Sequence, residues 1–258
     1  MNTTFKYLRS AFLDNIEMFT SENENDYFPF HLHDYYCVSL ITKGTEALET
    51  QTSTYYATTG TISVTQANEA HKNYSVDPSG YSYQTIYVTP DLLKHYNGGI
   101  PVLGLERIIE NKETIGLISD LFKDSLTDLT TIETAIKSLT QYSKPIHKEK
   151  IYSFDLMDEL IADAGFNKIT LDIVARHFCM SKYHFIRRFK RSKGITPQAY
   201  IMLRRLENAK KMLFKGDEIK TVAFMNGFYD ATHLNTAFKR YFGINAFAMK
   251  NSNIIHKD

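Results

Sequence analysis

The chain has 258 residues, 43% of them hydrophobic and 23% charged, with a formal net charge of +1 and two cysteines, Cys37 and Cys179. This length allows one large domain or two ordinary ones, and two cysteines are too few for a disulfide framework, which favours a reducing cytosol. No apolar run reaches membrane-spanning length, and the N-terminus lacks the h-region and cleavage site of a signal peptide, so a cytoplasmic protein away from the membrane is expected.

Residues 27–90 predict strands. YYCVSLIT (35–42), EALET (46–50), TYYAT (54–58), TISVT (61–65) and SYQTIYVT (82–89) are rich in Val, Ile, Thr and Tyr, with Gly44, Gly60 and Gly80 between them. Short strands at this spacing predict an antiparallel barrel or sandwich. From Gly104 onward the pattern turns helical, and Leu129, Ile132, Ile136 and Leu139 form one apolar stripe. The polar stretch 144–150 is the predicted linker between a domain over 1–143 and a second over 151–258. Charge divides at the same place: residues 1–149 hold 11 Lys+Arg against 19 Asp+Glu, and residues 150–258 hold 19 against 10. The C-terminal half thus carries the charge needed at a polyphosphate, although a solvated basic surface has the same composition.

The C-terminal half predicts helices only and contains an internal repeat. Val174-Ala175 recurs at Val222-Ala223, Phe189-Lys190 at Phe238-Lys239 and Gly194-Ile195 at Gly243-Ile244. Each copy predicts a helix, a short turn and a second helix, over about 171–191 and 219–241. Thr170, Ser181 and Asp230 are suited to helix N-caps, and Gly227 to the residue past a helix end. Phe185 and Phe189 would be buried by one second helix, and Leu234, Phe238 and Phe242 by the other. Between the copies, Pro197 opens a predicted connecting helix.

In a helix-turn-helix the second helix enters the major groove, whose width admits it. The face opposite Phe185 and Phe189 carries Tyr183, Ile186, Arg187 and Lys190, and Arg187 is suited to a bidentate contact with guanine. Ser181, Lys182, Arg188, Arg191 and Lys193, with Lys190, suit phosphates, as do Lys239 and Arg240 in the second copy. There Asn235 suits adenine, with Ala231, Thr232 and Thr236 beside it.

The residues LDIVARHFCMSKYHFIRRFKRSKGITPQAY, RLENAKKML and IKTVAFMNGFYDATHLNTAFKRYFGI resemble the AraC/XylS family of transcription regulators, over about Ile169 to Met249. The resemblance implies a seven-helix domain with two recognition helices for double-stranded DNA. Carried onto this chain, the base-reading positions are Tyr183, Ile186 and Arg187, then Ala231, Thr232, Asn235 and Thr236. One departure is Gly243-Ile244-Asn245-Ala246, where the family usually has Thr or Ser followed by Pro. This leaves the boundary of the final helix open.

FHLHDYY (30–36), Gly44, Gly60 and His71 resemble the cupin-like effector domain common in that family. The fold class implied is α+β and multidomain: a cupin-like antiparallel β-barrel with following helices, then an all-α double helix-turn-helix domain. His31, His33, Tyr35, Cys37, His71 and Tyr83 are the expected effector pocket, with His31, His33, Tyr35 and Cys37 on one face if they form a strand. The partners implied are a small-molecule effector, RNA polymerase and a second copy of the chain, which the Leu129 stripe would contact unless it packs on its own barrel. The alternative is a metal-dependent cupin enzyme with a helical appendage, because His31, His33 and His71 suit Zn, Fe or Mn. The glutamate of the usual ligand set is missing, so no metal, cofactor or catalytic residue is assigned. A protein-binding helical module with an acidic partner is a third reading.

Overall fold

The computed structural model describes residues 4–10, 16–25, 28–123, 129–145, 154, 156–251 and 253–255. Most of the predicted linker, 146–150, lies outside them. The chain divides into two units. One comprises Met1–Tyr27, His33–His147 and Ser252–Asp258, and the other Phe28–Leu32 and Lys148–Asn251.

The first unit holds β1 (Thr4–Ser10), β2 (Glu17–Glu24), β3 (Tyr36–Lys43), β4 (Thr45–Thr50), β5 (Thr54–Thr58), β6 (Ile62–Thr65), β7 (His71–Ser75) and β8 (Tyr81–Val88). They are followed by α1 (Pro90–Tyr96), β9 (Ile108–Ile109), α2 (Lys112–Asp120) and α3 (Leu129–Thr140), and β10 (Asn253–Ile255) closes the set. The strands form two sheets, ordered β10-β1-β2-β8-β3-β6-β9 and β5-β4-β7, antiparallel throughout except for the parallel pair β1 and β10. The architecture is the expected antiparallel β domain, built as two sheets in place of one closed barrel.

Alternation along β3, β6 and β8 sends Val38, Leu40, Ile62, Val64, Ile86 and Val88 to one face of the large sheet. There they join Leu92, Leu93, Ile118, Ile132, Ala135, Ile136 and Leu139 in a single buried cluster with α1, α2 and α3. This corrects the dimer expectation for the Leu129 stripe: Ile132, Ile136 and Leu139 are at most 1% exposed inside their own unit. Burying such side chains stabilises the unit by about 1.5–3 kcal/mol each, so they are not surplus surface waiting for a partner. The opposite face of the large sheet carries Cys37, Ser39, Ser63, Thr65, Tyr81, Tyr83 and Thr85, and is far more polar.

The second unit contains seven helices among the described residues: α4 (Met157–Ala164), α5 (Leu171–His177), α6 (Lys182–Lys193), α7 (Pro197–Phe214), α8 (Ile219–Met225), α9 (Ala231–Phe242) and α10 (Ala246–Lys250). Local chemistry sets their starts. Thr170, Ser181, Thr196 and Asp230 each accept a backbone N–H at the first turn of α5, α6, α7 and α9, and Pro197 supplies a preset φ at the start of α7. Asn245 caps α10 through a 2.7 Å bond from the Ala248 N–H. Asn245-Ala246 therefore does what Thr196-Pro197 does 49 residues earlier, and the missing threonine and proline do not cost the chain its last helix.

Candidate nucleic-acid interface and ligand domain

The two helix pairs α5–α6 and α8–α9 share one internal plan. In the first, Phe185 and Phe189 of α6 are fully buried. Phe154 meets their rings at 5.6 and 5.0 Å, and Tyr200 of α7 meets Phe189 at 5.3 Å. In the second, Leu234 and Phe238 of α9 are fully buried. Its α8 is tied to α7 by polar groups: the Asn208 Nδ2 donates to the Oδ1 of the fully buried Asn226 at 2.7 Å, and the Asn226 Nδ2 donates to the Val222 carbonyl at 2.8 Å. Such a bond matters chiefly because breaking it leaves a buried amide unsatisfied.

The turn between α5 and α6 spans four residues, 178–181, and that between α8 and α9 five, 226–230, and each holds one residue in the left-handed region. Cys179, between α5 and α6, holds φ +52°, and Gly227, 48 residues later, holds φ +74° at the equivalent place. Glycine adopts this left-handed conformation freely, whereas cysteine is strained there.

With one aromatic or aliphatic side packed inward, the other side of each second helix faces solvent. Tyr183 is 75% exposed, Arg187 and Lys190 are exposed and Ile186 is half-buried, as expected from their spacing. The Arg187 guanidinium lies 6.0 Å from the centre of the Tyr183 ring, so the two can brace each other. Arg191 is exposed, whereas Arg188 and Lys193 are half-buried. Lys182 pairs with Asp172 of α5 at 2.7 Å, and the Ser181 hydroxyl is used as a helix cap, so both have a partner within the protein.

On α9, Thr232, Thr236, Lys239 and Arg240 are exposed, and Ala231 and Asn235 are half-buried. The Thr236 hydroxyl donates to the Thr232 carbonyl at 2.9 Å, which leaves its methyl for apolar contact. The Asn235 Oδ1 is enclosed and has no hydrogen-bond partner among the described residues. Tyr229, just before the cap of α9, is 93% exposed and was not singled out by sequence reasoning. The only signal for it was an aromatic immediately preceding the cap.

In the first unit, residues 32–35 are not a strand, and β3 begins only at Tyr36. The expected strand alternation through His33 and Tyr35 therefore fails. The cause is local: the His33 Nδ1 donates to the carbonyl of Tyr35, two residues on, at 2.7 Å, which bends the chain. The bend nevertheless gathers the expected pocket residues. The His33 ring stacks on Tyr35 at 4.3 Å and meets His71 edge-on at 4.9 Å. The Cys37 Sγ lies 3.3 Å from the His33 Nε2. The His71 Nδ1 donates to the Glu69 carbonyl at 2.8 Å, so each ring is held through its Nδ1 to a backbone carbonyl. His31 falls in Phe28–Leu32, which groups with the helical unit, and burial holds its pKa below the usual imidazole value.

Tyr83 stacks on Tyr81 at 5.0 Å and lies 5.9 Å from Phe19, among polar side chains that sequence reasoning missed. Glu24 and Glu46 are each 2% exposed, and Ser21 and Ser63 at most 2%. Burial pushes the Glu46 carboxyl up from its usual value, with donors on Ser63, Asn73 and Tyr81 offsetting part of the shift. Burial first, and then the nearby acidic groups, push the Tyr81 and Tyr83 phenols well above the usual range, so both remain hydrogen-bond donors.

Two helix-turn-helix units braced on one helix, in a chain whose other half is a β domain with a polar inner face, define a class: DNA-binding transcription regulators that carry a ligand-binding domain. The helix-turn-helix domain family matches residues 174–250, and the AraC-like ligand binding domain family matches residues 15–133. The chain belongs to the AraC family of regulators.

Among its relatives, the HTH-type transcriptional regulator YbfI of Bacillus subtilis is 27% identical over 241 residues, spanning 85% of this chain and 86% of that protein. The HTH-type transcriptional activator RhaS of Escherichia fergusonii is 25% identical over 237 residues, spanning 84% and 85%. Among solved structures, ToxT of Vibrio cholerae bound to an unsaturated fatty acid matches with a TM-score of 0.60 at 11% identity, covering 99% of this chain and 97% of that one. At that identity the match speaks for the fold.

Proposed function

We propose that α6 and α9 are the base-reading helices, and that binding of a small molecule inside the β domain biases how the chain engages its operator. The observation that carries the DNA assignment is that both helices bury one side on the same unit and leave matched outer faces exposed. Tyr183, Ile186 and Arg187 read bases from α6, and Ala231, Thr232, Asn235 and Thr236 read from α9. Arg187 is the principal reader, because a guanidinium fits guanine bidentately. Asn235 is suited to adenine, which offers its amide a donor and an acceptor together, and reading it requires a turn of the side chain that brings the enclosed Oδ1 to the surface.

Arg188, Lys190, Arg191, Lys193, Lys239 and Arg240 neutralise phosphates and fix register, with Ser181 and Lys182 at the N-terminus of α6. The His33, Tyr35, Cys37 and His71 group and Tyr83 line the effector site, and His31 borders it in sequence. The effector must favour one of two states of the chain, since equal affinity for both shifts nothing. Regulation would take place in the cytosol, by contact with RNA polymerase, with a second copy of the chain as a further partner.

Selection of bound fragments from a random DNA pool by the purified chain tests this. An enriched motif whose affinity falls steeply with salt is the expected result. Equal retention of all sequences, or undiminished enrichment by Arg187→Ala, would sink it.

A further inference from the structure

The inner face of the β domain is acidic, and the acid has an unmet need. Glu46 sits on β4 and is 2% exposed. Its Oε1 accepts from the Asn73 Nδ2 at 2.8 Å and from the Tyr81 hydroxyl at 3.4 Å. Its Oε2 is enclosed and has no hydrogen-bond partner among the described residues. A buried carboxylate oxygen left without a donor carries a desolvation penalty that folding alone does not recover. Glu24, equally buried, accepts from the Ser21 hydroxyl at 3.0 Å.

The charged groups that raise the Tyr81 phenol are Glu46, Tyr83 and Glu24, and those that raise Tyr83 are Glu24, Glu46 and Cys37, all of them acidic. The side chains that act on Glu46 are Ser63, Asn73 and Tyr81, all neutral; Asn73 and Tyr81 bond to Oε1, and the nearby Ser63 hydroxyl makes no hydrogen bond of normal geometry to Oε2. The enclosed Oε2 of Glu46 lacks a donor, and a cation that donates a hydrogen bond supplies both the donor and the opposite charge. The stacked Tyr81 and Tyr83 rings, with Phe19 against Tyr83, add aromatic surface that attracts such a cation when it is organic.

Resting on the reading that this domain binds an effector, we infer that the effector carries a cationic amino group seated against Glu46, with Glu24 and the Tyr81–Tyr83 pair around it. An ammonium hydrogen meets the enclosed Oε2 in a charge-assisted bond. A carboxylate ligand would add a third acidic group to two buried ones. A neutral alcohol could donate to Oε2 but would leave the acidic charge uncompensated.

Three probes of one carbon skeleton separate these chemistries: n-butylammonium, 1-butanol and butyrate. Each is titrated into the full chain, followed by thermal denaturation and by tyrosine fluorescence, which is unobscured because the chain has 17 Tyr and no Trp. Calcium chloride serves as the inorganic cation. Butylammonium alone should raise the melting temperature with concentration, and Glu46→Gln should weaken its binding by roughly tenfold or more. Glu46→Gln should itself fold, because an amide oxygen can still accept from Asn73 and Tyr81 and only the oxygen without a donor is replaced.

Equal stabilisation by 1-butanol or calcium chloride, no effect of butylammonium, or an undiminished effect in Glu46→Gln would each overturn the inference. Binding of butyrate instead would overturn the amine and leave the ligand-binding reading standing. The DNA selection above tests the DNA assignment independently of either result.

Discussion

Replacing Gly227 with alanine should destabilise the helical unit by about 2–4 kcal/mol, while replacing Cys179, its counterpart 48 residues earlier, with glycine should stabilise it by about 0.5–1 kcal/mol. Both residues hold positive φ, and a side chain in that conformation costs about 1–2 kcal/mol. At Gly227 contact adds to strain. A Cβ there would lie 3.0 Å from the Asn167 Cα and 3.1 Å from the Arg205 Cζ, tighter than either can accept without moving. Arg205 cannot move freely, since its Nε donates to the Phe166 carbonyl at 2.7 Å and its Nη2 to the Ile169 carbonyl at 3.3 Å. Such overpacking costs about 1–3 kcal/mol, less about 0.4–1 kcal/mol regained from the stiffer unfolded chain. Cys179 is exposed, so glycine there relieves strain and loses only chain entropy. Urea unfolding of the full chain, followed by far-UV circular dichroism, reads both. A cost below 1 kcal/mol at Gly227, or a loss of stability in Cys179→Gly, would refute the reasoning.

Four further outcomes are expected. Arg187→Ala should cost about 1–3 kcal/mol on the selected operator and relax preference at one base pair, seen by fluorescence anisotropy against single-base variants. Arg191→Ala should instead weaken all sequences alike and lower the slope of log affinity against log salt by about 0.9. Phe185→Ala should cost about 3–5 kcal/mol in urea unfolding, because the ring is fully buried among Phe154, Phe178 and Phe189. Glu46 is protonated more readily in the folded state than in the unfolded one, so its contribution is fully present below the unfolded glutamate pKa and is lost as pH rises through the folded value. The β domain should therefore lose stability as pH climbs from about 4.3 toward the raised value, and Glu46→Gln should remove that part of the slope.

The helical half was legible because its signals are local. A cap such as Thr170, Ser181 or Asp230 acts within one turn, and an apolar pair such as Phe185 and Phe189 declares its face by spacing alone. The β half was less so. β2, with the sequence EMFTSENE, was missed because its polar residues look solvated, yet Ser21 and Glu24 point into the domain. Glu46, Ala47 and Leu48 are consecutive and all buried, so alternation could not tell which faced the pocket. The stripe on α3 was equally ambiguous, since an apolar helix face looks the same whether its own sheet or a second copy covers it. Around His33, the bend arises from a single ring-to-carbonyl bond, which no periodicity announces.

The 18-residue α7 has a consequence for the DNA as much as for the protein. At about 1.5 Å per residue it is a rod of about 27 Å, on which both recognition units are packed. Unlike a pair of domains on a loop, it gives the two units no slack with which to accommodate a variable gap. With α6 and α9 both docked as proposed, an operator would be defined by interval as well as by letters. Adding roughly five base pairs between its halves would turn the second away from the protein by half a helical turn, with both sequences intact.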